Sequence, residues 1–329
     1  MKNRILTLSL ILLTLLLSGC SDSAQRVHKW DNTKYAAYPS SVGINIYNEH
    51  SYNTIDREDP NSYKANRTLY ISDLSKPITV MFNNNGKDRT FVMNVYYDYK
   101  PIQFKIDNNG NFNENHIFDL NDGYEIELPL YLPQDLTMTG SHKLLVTFGI
   151  GPEIHAKDLN QLIDWYGSAD VQDVVFNPDD IVFDNSQKYK KPEVSIPLSY
   201  IYTLNQDYDY SISKTDIMPD PPITLTVKPK EKFKLIYNVS IPEEHTNQVL
   251  LLTTIGFKHV HMCNSNYLLL DVPNKSTGSG QIELKAPDKE GLYEIISYRV
   301  CSPFEKINGR NILKYDVGAS QRFTLEVKE

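Results

Sequence analysis

Apolar residues recur along this chain at alternate positions or in short runs, and polar turn residues interrupt them about every ten residues, the spacing of an all-β fold. Phe91, Met93 and Val95 fall on one face of a predicted strand, with Val92, Asn94 and Tyr96 on the other. Residues 102–106 alternate too, and Asn108-Asn109-Gly110 then supplies a turn, because Asn and Gly tolerate positive φ. Asn83-Asn84-Asn85-Gly86 is a second turn signal of that kind. Further strands are predicted at 69–71, 78–82, 124–130 and 142–150. One helix is expected near 155–166, where Ile154, Leu159, Leu162, Ile163 and Tyr166 recur at helical spacing and Gly167 supplies a stop. Residues 171–213 hold strand-like pieces at 174–176, 181–183 and 198–204, and are read as an excursion of the first domain.

Met218-Pro219-Asp220-Pro221-Pro222 predicts a domain boundary, since proline extends the backbone and removes ladder donors. Seven strand candidates follow, at 223–227, 233–240, 249–257, 267–272, 281–286, 293–301 and 322–327. Residues 287–295, Pro-Asp-Lys-Glu-Gly-Leu-Tyr-Glu-Ile, resemble the E–F corner of immunoglobulin-like domains. That resemblance implies a tight turn at Gly291 and a Tyr293 hydroxyl bonded back to the corner's backbone. The first half has a looser echo, in which His142 follows Gly140 as Tyr293 follows Gly291. No residue-level repeat links the halves. The expected fold class is mainly β, with two β-sandwich (immunoglobulin-like) domains at 38–217 and 218–329 and one short helix.

The N-terminus follows another pattern. Lys2 and Arg4 precede an apolar run from Ile5 to Leu17, too short to span a bilayer comfortably, and Leu17-Ser18-Gly19-Cys20 ends it. This segment resembles the lipobox signals of bacterial lipoproteins. The resemblance implies that residues 1–19 are a signal peptide and that Cys20 becomes the lipidated N-terminus. Palmitate and diacylglycerol would then hold the chain to the extracytoplasmic face of the cell membrane. Residues 20–37, polar and weakly patterned, are read as a tether.

Composition sharpens this picture. The formal net charge is −8, and removing Lys2 and Arg4 with the signal makes it more negative. No basic stripe is interleaved with aromatics, so nucleic acid is excluded as a partner. The 22 tyrosines favour strands, and in an envelope protein they also suit a carbohydrate partner. Cys263 and Cys301 remain once Cys20 is lipidated. Outside the cytoplasm such a pair tends to oxidise, so a Cys263–Cys301 disulfide is expected.

His259-Val260-His261-Met262-Cys263 is the chief chemical cluster. Period two puts His259 and His261 on one face of a strand, and imidazole, thioether and thiol together suit copper or zinc. A blue-copper site would need a His soon after Cys301, where Ser302-Pro303-Phe304-Glu305 stands. The cluster reads as strand-end histidines beside a structural cystine, with metal binding as the alternative. Asp107–Gly110 and Asp119–Gly123 are acidic like calcium loops but lack the Gly and Glu spacing of an EF-hand, and are read as hairpin turns. The chain carries no G-x-S-x-G elbow, Walker loop or H-E-x-x-H helix. The expectation is a non-catalytic binding or adaptor module at the cell envelope, with no cofactor, whose partner is a carbohydrate or a protein. The alternatives are a metal-binding lipoprotein and a structural accessory subunit of an envelope complex.

Overall fold

The structure, a computed structural model, describes residues 25–29, 41–49, 68–155, 167–176, 188–197, 202–205, 224–241, 247–273, 276–305, 317–320 and 322–329. The signal peptide, Cys20, the strand-like piece at 181–183 and helix positions 156–166 lie outside them. Among the described residues the fold is all β.

Four sheets form two sandwiches. The first sheet runs in the order β1 (Arg26–Lys29), β8 (Tyr124–Leu130), β4 (Ile78–Asn85), β2 (Ser41–Tyr47). The second runs β3 (Thr68–Tyr70), β10 (Gly167–Val175), β9 (Ser141–Ile150), β5 (Arg89–Tyr97), β6 (Lys100–Pro101), with β7 (Asn115–Leu120) also on β5. Phe82, Phe91, Phe118 and Phe148 fill the core between these two sheets. Their rings tilt or stack at centroid distances of 5.0–6.1 Å.

The second sandwich repeats this plan strand for strand. Its smaller sheet runs β11 (Val194–Pro197), β18 (Ser276–Lys285), β14 (Lys232–Ser240), β12 (Tyr202–Asn205). Its larger sheet runs β13 (Thr224–Val227), β21 (Phe323–Val327), β19 (Gly291–Cys301), β15 (Gln248–Ile255), β16 (Lys258–Val260). β17 (Leu268–Asp271) pairs with β15 as β7 pairs with β5, and β20 (Val317–Ala319) is the one addition among the described residues. Even the parallel pairings correspond: β3 runs parallel to β10, and β13 to β21. The chain is a tandem of one topology, although no residue-level repeat marks it.

All seven strands expected after Met218 are present. Three expectations need correction. Residues 26–29 of the expected tether form β1, which pairs with β8. β11 and β12 ladder with β18 and β14, so the chain enters the second sandwich before Val194 and not at Met218. Residues 102–106 make two isolated bridges, Phe104 to Asn113 and Lys105 to Tyr131, in place of a strand.

The corner prediction holds. The Tyr293 hydroxyl donates to the Lys289 carbonyl at 2.9 Å, and Gly291 takes φ +155°, a region L side chains rarely adopt. His142 does the same work in the first sandwich. Its Nε2 lies 2.9 Å from the Thr139 carbonyl, its Nδ1 2.8 Å from Asp98 Oδ2, and Gly140 has φ +87°.

The two large sheets pack against each other, which makes a four-layer body. Alternation along β9 explains it. Leu144, Val146, Phe148 and Ile150 enter the first core, while Leu145 and Thr147 face the other sandwich. On β15, Val249 and Leu251 enter the second core, and Leu250 and Leu252 join Leu145, Ile296 and Tyr298 in the layer between. Gly149 permits this approach: a Cβ there would stand 2.2 Å from the Phe257 ring. The Tyr298 hydroxyl donates to the Phe148 carbonyl at 3.2 Å.

Both ends of β9 are pinned by buried charge. At its C-terminal end Arg322 donates to the carbonyls of Ile150, Gly151 and Ile154, and its Nε lies 2.7 Å from Glu294 Oε2. The Arg322 and Glu294 side chains have no exposed surface. Glu294 also accepts from the Thr324 hydroxyl at 2.8 Å and meets His155 Nδ1 at 2.7 Å. At the N-terminal end Lys143 Nζ reaches Asp173 Oδ1 at 2.5 Å and the Glu305 carbonyl.

Two stability predictions follow from these contacts. Tyr293→Phe removes one exposed hydrogen bond, so denaturant melts of the full chain should show a loss of about 0.5–1.5 kcal/mol. Tyr293→Ala should cost more, because the ring packs on the second core. Glu294→Ala leaves Arg322 as an uncompensated buried cation and should cost about 3–5 kcal/mol. A Glu294→Ala midpoint equal to the parent's would contradict the pinning role.

Candidate functional site

The His259 cluster does not survive as a set. β16 alternates, so its two faces part the residues. Val260 and Met262 turn into the second core, where Met262 is 1% exposed and its sulfur accepts from the Thr253 hydroxyl at 3.2 Å. His259 and His261 face the other way, toward the first sandwich, with ring centroids 6.1 Å apart. Met262 therefore cannot join the histidines around one ion. Among the described residues no three His, Cys, Asp or Glu side chains stand together as a metal cage.

The expected disulfide is not formed. Cys301 is buried in the second core, paired in the ladder with Val249. Cys263 is exposed, in a turn with φ +50°, and its N–H donates to the Glu283 carbonyl of the opposite sheet at 3.2 Å. A cystine needs facing Cβ atoms about 3.5–4.5 Å apart. One of these side chains points inward from the large sheet and the other lies on an outer turn.

The acidic loops are turns, as expected. Gly110 N–H bonds the Asp107 carbonyl at 3.0 Å, and Asn109 N–H bonds Asp107 Oδ1 at 2.9 Å. Asp122 accepts from Gly86 N–H at 2.6 Å, and Asp88 accepts from Asp122 N–H at 2.8 Å. These carboxylates already serve backbone donors.

What β16 does build is a cleft of about 320 Å³ between the sandwiches. The β5–β6–β7 edge of the first sandwich forms one wall, through Asn94, Tyr96, Gln103, Glu114 and Asn115. Lys258, His259, His261 and Asn266 form the other. The strands that meet here, β6 and β16, are topological counterparts. Asn94 and Tyr96 reach the cleft because the alternation read from the sequence turns them away from the first core.

Asn94 Nδ2 is buried beside this cleft without a hydrogen-bond partner, and the Asn266 amide meets the His259 ring on one side only. Leaving such a group unmet costs about 1–3 kcal/mol. The edge of the Tyr96 ring packs on His259 at 5.6 Å between centroids. Burial, and after it repulsion from His261, lower the His259 pKa to about 4 against the opposing hydrogen bond of the Asn266 amide. The imidazole is therefore neutral near pH 7, with one N–H donor and one lone pair. The charged groups beside it are Lys258 and Glu114.

No family model and no curated protein matches this sequence. Solved structures align with it at low similarity. The C-terminal domain of the Streptococcus agalactiae AgI/II polypeptide BspA is similar over 87% of this chain and 100% of that one, at 9% identity and a TM-score of 0.22. The C-terminal domain of the Streptococcus pyogenes antigen I/II-family protein AspA aligns over 88% of this chain and 100% of that one, at 7% identity and a TM-score of 0.23. A chain of the CsuC–CsuE chaperone–tip adhesion subunit complex of Acinetobacter baumannii aligns over 80% of this chain and 95% of that one, at 11% identity and a TM-score of 0.23. Likeness at this level carries no argument about what this chain does.

His259 and His142 should titrate on opposite sides of the usual value near 6.5. His259 should hold its neutral ring signals in NMR until about pH 4. His142 should titrate above the usual value: burial opposes its charge, but the hydrogen bond and charge of Asp98 outweigh burial. A folded pKa below the unfolded one means that His259 costs stability as pH falls from about 6.5 toward about 4. His142 contributes stability below its unfolded pKa and loses it as pH rises through its raised folded value. A His259 pKa near 6.5 would contradict its burial.

Proposed function

We propose that this chain is a lipid-anchored binding module on the extracytoplasmic face of a bacterial cell membrane. Cys20 carries the anchor, and the two sandwiches present the interdomain cleft to the envelope. One observation carries the binding reading. The cleft gathers polar side chains, among them Asn94, whose buried amide N–H the protein leaves without a partner, on two walls held in place by a packed interface. A fold without use for that cleft would gain by filling it with apolar residues. The chemistry asked of the protein is recognition: the cleft offers amides and imidazoles.

Anchorage supports the reading from the sequence side. Leu17-Ser18-Gly19-Cys20 matches a lipobox, and two or three acyl chains hold a protein at a membrane where one does so only marginally. Cys20→Ala should leave an unprocessed precursor or release the chain from the membrane fraction. Parent-like processing with full membrane retention would refute the anchor.

A further inference from the structure

The residues that line the β16 cleft say what it should hold. Four carboxamides line it, from Asn94, Gln103, Asn115 and Asn266. One lysine, Lys258, is matched by one carboxylate, Glu114. An anionic ligand would meet Glu114 as well as Lys258, so its charge would gain little. A bare cation would find no three ligating side chains together. An aliphatic ligand would leave Asn94 Nδ2 and the His259 nitrogen turned from Asn266 unmet. A hydroxyl is different, since it donates and accepts at once. It can accept the Asn94 N–H and donate to the lone pair of the neutral His259 ring, whose N–H the Asn266 amide takes.

We infer that the cleft between the β5–β6–β7 edge and β16 binds an uncharged, hydroxyl-rich ligand, a saccharide unit, through Asn94 and His259. A volume of about 320 Å³ lies at the small end of ligand clefts, which run from about 300 to 1,000 Å³. It fits about one or two sugar rings and not a long chain. Tyr96 is fully buried, so its ring backs His259 and offers no stacking face to the sugar. Recognition would thus rest on directional hydrogen bonds, which distinguish the positions of hydroxyls. The inference rests on the reading of the chain as a binding module, but not on its anchor.

The test uses the processed full chain in phosphocholine micelles, which carry no sugar head group. Glucose, N-acetylglucosamine, lactose, glucuronate and Zn(II) are the probes. Saturation-transfer NMR should show contact with at least one uncharged sugar, and glucuronate should bind at least tenfold more weakly. The His259 ring signals should shift saturably on sugar addition, while those of His142, remote on β9, stay fixed. Asn94→Leu and His259→Phe should each weaken binding at least tenfold. The His259 shift is read in the unaltered protein, so it decides the matter even if a variant fails to fold. Contact with no uncharged sugar, an unmoved His259, or binding that survives both substitutions would overturn the inference. Binding of only glucuronate or Zn(II) would also overturn it, yet would leave the cleft as a binding site. An oligosaccharide bound more tightly than its single sugar would point to a polymeric glycan as source, and equal affinity to a free sugar.

Discussion

A guanidinium and a carboxylate withdrawn from water are tolerable only if their remaining donors and acceptors are met. Arg322 and Glu294 meet theirs across the boundary between the sandwiches. The carbonyls of Ile150, Gly151 and Ile154 belong to the first sandwich, and Arg322 and Glu294 to the second. Separating the sandwiches would keep the ion pair but break the guanidinium's bonds to the three carbonyls of the first. The contact also holds the start of β21 beside the end of β9, and the Arg322 guanidinium lies 5.6 Å from the Phe257 ring that fills the space above Gly149. Lys143 and Asp173 pin the other end of β9. Between the two pins lies an apolar layer from Leu145 to Tyr298. The cleft at β16 has fixed walls because this layer fixes them.

Repetition explains why the cleft lies where it does. Two copies of one topology face each other through corresponding sheets, so corresponding edges meet at the rim. β6 and β16 are both short, and each ends its sheet's pairing path. Short edge strands cannot cover the rim as a longer strand would. Polar residues of β5, the start of β7 and the β16 hairpin are left to line the gap. The corners show the same inheritance with different chemistry: a phenol in one copy and an imidazole in the other bond back to a carbonyl upstream.

Much of the second sandwich was legible in the sequence, because its strands are bounded by turn residues and its corner has a specific Gly-x-Tyr pattern. The faces of β5 were legible too, from plain alternation between Phe91 and Tyr96. The domain boundary was not. The prolines at 219–222 looked like a linker, but ladder pairing had already carried β11 and β12 into the second sandwich. Pairing across long separations leaves no local signal. The four-layer packing did leave one: Leu144-Leu145-Val146 and Val249-Leu250-Leu251-Leu252 are strands with no polar face, the mark of burial on both sides. Alternation puts His259 and His261 on one face, but their companions there do not follow from local sequence. Met262 obeys the alternation that separates it from His259, and Asn94, Glu114 and Asn266 arrive from distant segments. The disulfide was argued from compartment chemistry, which says nothing of which way each side chain points.

The central claim is that the two sandwiches move as one body. Backbone amide residual dipolar couplings of the weakly aligned protein test it most directly. Couplings from β4, β5, β8 and β9 give one alignment tensor, and those from β14, β15, β18 and β19 give another. The account predicts that the two tensors agree in magnitude and orientation. Tensors of different magnitude would mean that the sandwiches reorient independently, and the buried charges at β9 would not hold them together.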